Sequence, residues 1–219
     1  MEMSKRVLVG MVSIFMFFGW STAAAQDKTA DNILANVSKT YRSYKSIKAK
    51  FQISIENKQT SSRLNQGGTL YLKSKKFRID MSDQEIYCDG NKMWTYFKDE
   101  NEVQIAKYDP DENDINPSEI FTIYQKGFNT KYSGESMVAG KKIQKIELVP
   151  QDKTQPYFKV KLEVDKASHK IVKMKILNKN GIVTTYKITS FAGNVAINDS
   201  FFKFDEKSKP GVVKIDLTK

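Results

Sequence analysis

The chain of 219 residues carries one cysteine, Cys88, and one histidine, His169. A single thiol excludes an intramolecular disulfide, so the fold has to be held by apolar burial. A single imidazole removes the His-rich ligand sets on which zinc sites are commonly built. Cys88 sits in a strand-like run and reads as a buried, inert thiol, while His169 lies in a hairpin turn between Lys166 and Lys170. The motifs G-x-S-x-G, G-x-x-x-x-G-K-[ST] and G-x-G-x-x-G are all missing, and Gly67-Gly68 reads as a strand-entry kink and not a phosphate cradle. Asp109, Asp111 and Asn113 begin like a calcium loop, but Asp114 stands where the glycine is needed and Ile120 where the bidentate Glu is needed. These absences predict a protein that is not an enzyme and that requires no metal or cofactor.

Long apolar runs are also missing after the N-terminus. Lys5 and Arg6 precede the apolar stretch from Val7 to Trp20, and Ala23-Ala24-Ala25 offers an A-x-A cleavage site before Gln26. Fourteen residues is short for a bilayer span, so residues 1–25 read as a cleaved export signal, with a retained anchor as the lesser alternative, and residues 26–219 as a single exported domain. No cysteine follows the cleavage site to carry a lipid anchor. Export from the cytoplasm is the expectation.

Acid is in short supply. Removing Glu2, Lys5 and Arg6 from the 36 basic and 25 acidic side chains leaves 34 and 24, a formal charge of +10. The lysines alternate along strand-like runs, as at Lys159, Lys161, Lys173 and Lys175, and do not gather in a nucleic-acid-reading motif. The plain reading is a solvated sheet face and no nucleic-acid partner. The sharper one is attraction to an anionic membrane surface or partner.

What is present is alternation. From Asp27 to Tyr44, apolar residues including Ile33, Leu34 and Val37 recur at helical spacing, with Asp27 or Thr29 as N-cap. Ala49, Phe51, Ile53 and Ile55 alternate as a strand, and the polar run from Glu56 to Gln66 reads as a long hairpin loop. Gly67 to Tyr96 reads as three short antiparallel strands in which Leu70 and Leu72 share a face, as do Phe77 and Ile79, and as do Trp94 and Tyr96. Asn116-Pro117-Ser118-Glu119 is a helix start, followed by Ile120, Phe121 and Tyr124, with Gly127 as stop. The remainder is a strand-and-turn meander, with Gly134 to Gly140 as one of its turns and Phe201 to Phe204 as its last strand. The expected fold is mainly β with two helices. About ten or eleven antiparallel strands make a sheet long enough to curl toward a barrel.

The order of motifs resembles the periplasmic outer-membrane lipoprotein carrier family, LolA-like. The residues that carry the resemblance are Gly68-Thr-Leu-Tyr-Leu-Lys73, Phe77-Arg78, Asp89-Gly90-Asn-Lys-Met-Trp94-Thr-Tyr96, Pro117 to Ile120, Phe202-Lys-Phe204 and Pro210-Gly-Val-Val-Lys-Ile215. The resemblance implies an unclosed antiparallel β-barrel under a helical lid, whose apolar interior holds the acyl chains of lipoproteins. It implies a monomeric carrier that takes acylated lipoproteins from an inner-membrane ATP-driven release complex and passes them to an outer-membrane receptor. A lipid-sensing or lipid/glycolipid-binding regulatory domain on the same scaffold is the alternative.

On this resemblance Leu70, Leu72, Phe77, Ile79, Trp94 and Tyr96 would line the cavity. Ile33, Leu34, Val37, Ile120, Phe121 and Tyr124 would form the lid. Better-known members follow the G-x-L-x-L strand with a basic residue, Arg and Pro, and that Arg is thought to hold the lid shut. Here the segment reads Lys73-Ser74-Lys75, so the closing device is either absent or falls to Lys73, Ser74, Lys75 or Arg78. Burial of three acyl chains at about 0.8 kcal/mol per methylene would exceed the non-covalent affinity ceiling of roughly 18 to 21 kcal/mol. A carrier therefore has to enclose its cargo imperfectly.

Overall fold

The computed structural model describes residues 27–109 and 127–218. Among the described residues there are one α-helix, α1 (Lys28–Arg42), and twelve strands. The first half of the chain forms β1 (Ile47–Asn57), β2 (Ser62–Lys73), β3 (Lys76–Met81), β4 (Gln84–Cys88), β5 (Lys92–Phe97) and β6 (Glu102–Lys107). The second half forms β7 (Phe128–Val138), β8 (Lys141–Pro150), β9 (Tyr157–Asp165), β10 (Lys170–Asn178), β11 (Ile182–Gly193) and β12 (Val213–Asp216). The predicted export signal and the predicted helix with Ile120, Phe121 and Tyr124 lie outside the described residues.

Each half is an antiparallel meander, and the two meet where β1 pairs with β11. The sheet runs β12-β6-β5-β4-β3-β2-β1-β11-β10-β9-β8-β7 and does not close, and only β12 joins in parallel, against β6. This is the expected unclosed antiparallel architecture, with twelve strands where ten or eleven are predicted.

Helix α1 forms because its apolar residues fall on one stripe and both ends are secured. The Asp27 carboxylate accepts from the Thr29 and Ala30 amides as N-cap, and Lys39 and Arg42 occupy the last turn. The same Asp27 accepts from the Tyr132 amide of β7 at 2.8 Å, and Thr130 donates to Asp31 at 2.8 Å. Hydrogen bonds, the Tyr132 amide first, hold the Asp27 carboxyl below the usual range. Further along the helix, the buried Tyr41 hydroxyl accepts from the Ile171 amide of β10 at 3.0 Å. Ala30, Ile33, Leu34, Val37 and Tyr41 are buried against a core that includes Ile47, Ala49, Leu72, Phe77, Leu148 and Leu162.

Four expectations change. The polar run after Glu56 is not a long loop, because β1 and β2 keep pairing out to Asn57 and Ser62. Backbone ladders there need no apolar face. Gly67 to Tyr96 contains four strands, since the chain reverses at Ser82-Asp83 without a glycine or proline to mark the turn. Gly134, at φ 100°, sits where the β7–β8 register shifts between Tyr132 and Glu135, so it marks a bulge inside a strand and not a turn. Phe202 belongs to a 3-10 helix, Asp199–Phe202, and the last strand is β12.

Candidate functional site

Directly opposed residues in an antiparallel pair project from the same face, so the register sorts every side chain. One row crosses most of the second half: Ile53 opposes Tyr186, which opposes Met174, then Leu162, Ile146 and Tyr132. A second crosses the first half: Ile47, Leu72, Phe77, Cys88, Met93 and Ala106. A third joins Phe191, Ala49, Leu70, Ile79 and Ile86. Together with the buried stripe of α1 these rows define an inner, apolar face.

The inner face is covered unevenly. Next to α1 it is a packed core, and Leu70, Leu72 and Phe77 belong to it with Ile33, Leu34 and Val37. Beyond that, Phe51, Ile79, Ile86, Met93, Tyr186 and Ile188 are only partly buried and pack against the core edge. Close packing below them is built in at Gly68, where an added Cβ would lie 2.7 Å from the Phe51 ring and 2.8 Å from the Asp80 carbonyl oxygen. The result is a partly covered wall of large apolar side chains on five strands, β1, β3, β4, β5 and β11.

Trp94 and Tyr96, expected in the same wall, project from the other face. Trp94 opposes Tyr87 and Ile105, and Tyr96 opposes Glu85 and Val103, whereas Phe77 opposes Cys88 and then Met93. The unmarked turn at Ser82-Asp83 and the turn between Cys88 and Met93 set a parity that the spacing of apolar residues alone does not give. Phe51, Ile86, Met93, Tyr186 and Ile188 complete the wall, and strand spacing alone does not single them out.

The outer face of the β2–β6 half carries its own small core, made by a C-terminal strap running from Asn194 to β12. Arg78 lies between the rings of Tyr87 and Phe201, 4.6 and 4.5 Å from their centroids, and its Nε donates to Asp80 at 2.6 Å. Phe204 packs on Tyr87 and Tyr96, Lys209 lies 4.4 Å from the Tyr96 ring centre, and Phe202 is fully buried. The Tyr87 hydroxyl donates to Glu85 at 2.5 Å, and burial together with that carboxylate pushes the phenol far up. Burial opposes ionisation of Glu85, but the Tyr87 hydroxyl and the charges of Lys209, Arg78 and Lys98 outweigh it and hold the carboxyl low.

All four residues expected to control a lid lie away from the inner wall. Lys73 donates to the Ile197 carbonyl and to Asp199, both at 2.8 Å, and Lys76 donates to the other Asp199 oxygen at 2.6 Å. These two lysines lower the Asp199 carboxyl to about 2. Ser74, at φ 54°, and Lys75 form the exposed β2–β3 turn. Lys73 and Arg78 thus fasten the strap. A cleft of about 780 Å³ lies under it, between Lys48, Tyr71 and the segment from Val195 to Asp205.

Cys88 is fully buried, takes a hydrogen bond from the Gly90 amide at 3.4 Å, and has its thiol pushed up to about 11 by burial. Among the described residues no three His, Cys, Asp or Glu side chains come together as a metal site, and no helix is long and apolar enough to cross a membrane.

Comparison with known proteins places this geometry. Residues 42–205 match the family model described as outer membrane lipoprotein carrier protein LolA. An uncharacterized protein of Methanocaldococcus jannaschii is 28% identical over 199 residues, 89% of this chain, and the chain spans only 57% of that relative's length. Among solved structures, an uncharacterized conserved protein from Thermus thermophilus is similar with a TM-score of 0.58 and 13% identity, over 86% of this chain and 99% of that one. LprF from Mycobacterium bovis is similar with a TM-score of 0.51 and 13% identity, over 79% of this chain and 97% of that one. At these identities the solved structures speak to the fold alone.

Proposed function

The chain belongs to the outer membrane lipoprotein carrier family, and from that premise we propose that its inner wall takes up the acyl chains of lipoproteins for transfer across the cell envelope. The observation that carries the reading is the uneven cover of the inner face. Phe51, Ile79, Ile86, Met93, Tyr186 and Ile188 are apolar side chains that are neither fully packed away nor free in water. Apolar area left this way is a cost to a monomer unless a ligand covers it.

Partial enclosure also suits delivery. Each buried methylene is worth about 0.8 kcal/mol, so a wall that covers only part of an acyl chain keeps affinity in a range from which cargo can be released. In this reading the protein works in the periplasm as a carrier and catalyses no reaction. It takes acylated lipoproteins from an inner-membrane ATP-driven release complex and hands them to an outer-membrane receptor. The two ties of α1, at Asp27 and Tyr41, make the helix a fixed side of the site.

The test is mass spectrometry of the protein purified from its own envelope, together with lipoprotein sorting after its depletion. Co-purified acylated lipoproteins and their mislocalisation on depletion are the expected results. A bound free lipid or glycolipid with normal lipoprotein sorting would replace carriage of lipoproteins by the lipid-binding alternative.

A further inference from the structure

The outer face has two unlike halves. Over β2–β6 it lies under the aromatic strap, but over β7–β11 it presents lysine. One cross-strand row reads Lys187, Lys173, Glu163 and Lys145, and the neighbouring row reads Lys175, Lys161, Glu147 and Lys131. The two glutamates are already engaged. Lys159 and Lys161 reach Glu147 at 2.8 and 2.9 Å, and Lys173 reaches Glu163 at 2.9 Å. Among the described residues, Lys131, Lys145, Lys175 and Lys187 have no carboxylate within ion-pair distance.

This placement works against the sheet. Lys173 directly opposes Lys187, and Lys175 directly opposes Lys161. Like charges at such positions destabilise a strand pair. Two further features lie beside these rows. A cleft of about 480 Å³ is lined by Lys173 and Lys187 together with Gln52, Ser54 and Thr185, which is donor chemistry suited to a phosphate-bearing headgroup. The β7–β8 hairpin at its border ends in Met137 and Val138, which are 63% and 51% exposed.

We propose that the β7–β11 outer face is a docking surface for an anionic phospholipid bilayer. The lysine rows lie against the headgroups, the cleft takes a headgroup phosphate, and the hairpin tip covers its apolar side chains in the interfacial region. An anionic surface relieves the Lys–Lys repulsion that the free protein carries, and distributed charge suits it better than one point ligand. This surface lies on the opposite side of the sheet from the inner wall, so a carrier docked through it keeps that wall free.

The experiment is co-sedimentation of the protein with vesicles of phosphatidylcholine containing phosphatidylglycerol, against phosphatidylcholine alone. Binding is expected only to the anionic vesicles, and it weakens in about 0.5 M salt, where the screening length falls to roughly 4 Å. At about 1 kcal/mol per lysine, the Lys145→Ala/Lys175→Ala/Lys187→Ala variant loses affinity on the order of a hundredfold. Its uptake of a fluorescent acyl probe is unchanged, which shows that the variant remains folded. No binding to anionic vesicles at low salt, equal binding by the variant, or capture of poly-glutamate in preference to vesicles would each overturn the proposal. None of these results bears on acyl uptake by the inner wall.

Discussion

Arg78→Ala separates the two faces of the sheet more cleanly than any other single change. The guanidinium is 20% exposed, stacked between Tyr87 and Phe201, and bonded to Asp80. Two cation–π contacts at this depth are worth about 1 kcal/mol each, between the exposed and desolvated limits. The hydrogen bond to the partly solvated Asp80 adds about 1 kcal/mol more. Glu85 keeps Lys98 at 3.7 Å and Lys209 at 3.4 Å, so no buried carboxylate is stranded. The expected loss is about 3 kcal/mol, or a Tm lower by roughly 6 to 12 °C for a domain of this size. Urea unfolding gives the first number. Hydrogen exchange localises it, because the Lys203 and Val213 amides, bonded to Ser200 and Asn101, should exchange faster while those between β8 and β9 do not. Arg78→Lys keeps the charge without the planar stack and should recover about half of the loss. A loss below about 0.5 kcal/mol with unchanged strap protection would refute the clamp. A fall in acyl uptake comparable to that of an inner-wall variant would refute the placement of Arg78 away from the site.

Three further outcomes follow from single contacts. Tyr41→Phe leaves the Ile171 amide without its hydroxyl partner and should cost about 1 to 3 kcal/mol in urea unfolding. Cys88, with its thiol at about 11 and fully buried, should not react with a disulfide reagent at pH 8 until the protein unfolds, and prompt reaction in the native state would place it at the surface. Asp199 is held low by Lys73 and Lys76, so its contribution is complete above its ordinary value of 3.8 and disappears as the pH falls through about 2. The gap in thermal midpoint between the parent and Asp199→Asn should therefore be full at pH 5 and shrink steeply as the pH approaches 2, and a constant gap would contradict the ion pairs.

Local signals carry the fold well where periodicity and turn chemistry agree. Helix α1 is legible from Asp27 and the stripe through Ile33, Leu34 and Val37, because a cap and a 3.6-residue period both point to it. Most of the strands are legible for the same reason, with the Asp89-Gly90-Asn91 turn as a marker. The site is less legible. Ser82-Asp83 reverses the chain with no special backbone residue, and one missed turn exchanges the faces of everything after it. That is why Trp94 and Tyr96 were expected beside Phe77 and stand behind it, while Ile86 and Met93 occupy the inner positions. The strap escapes periodicity altogether. Phe201, Phe202 and Phe204 read as alternation, yet Asp199 anchors them through Lys73 and Lys76, more than 120 residues earlier in sequence.

The inner wall is tested most directly by the affinity of a fluorescent long-chain acyl probe for two variants that differ only in the face they alter. Ile86→Gln removes an apolar side chain from the wall and is expected to weaken binding by roughly tenfold to a hundredfold, from about 1.5 to 3 kcal/mol of lost apolar burial. Trp94→Ala, on the outer face, is expected to leave the affinity within about twofold, a change of under roughly 0.5 kcal/mol. The reverse pattern, with Trp94→Ala abolishing uptake and Ile86→Gln binding normally, would contradict the assignment of the inner face as the acyl site.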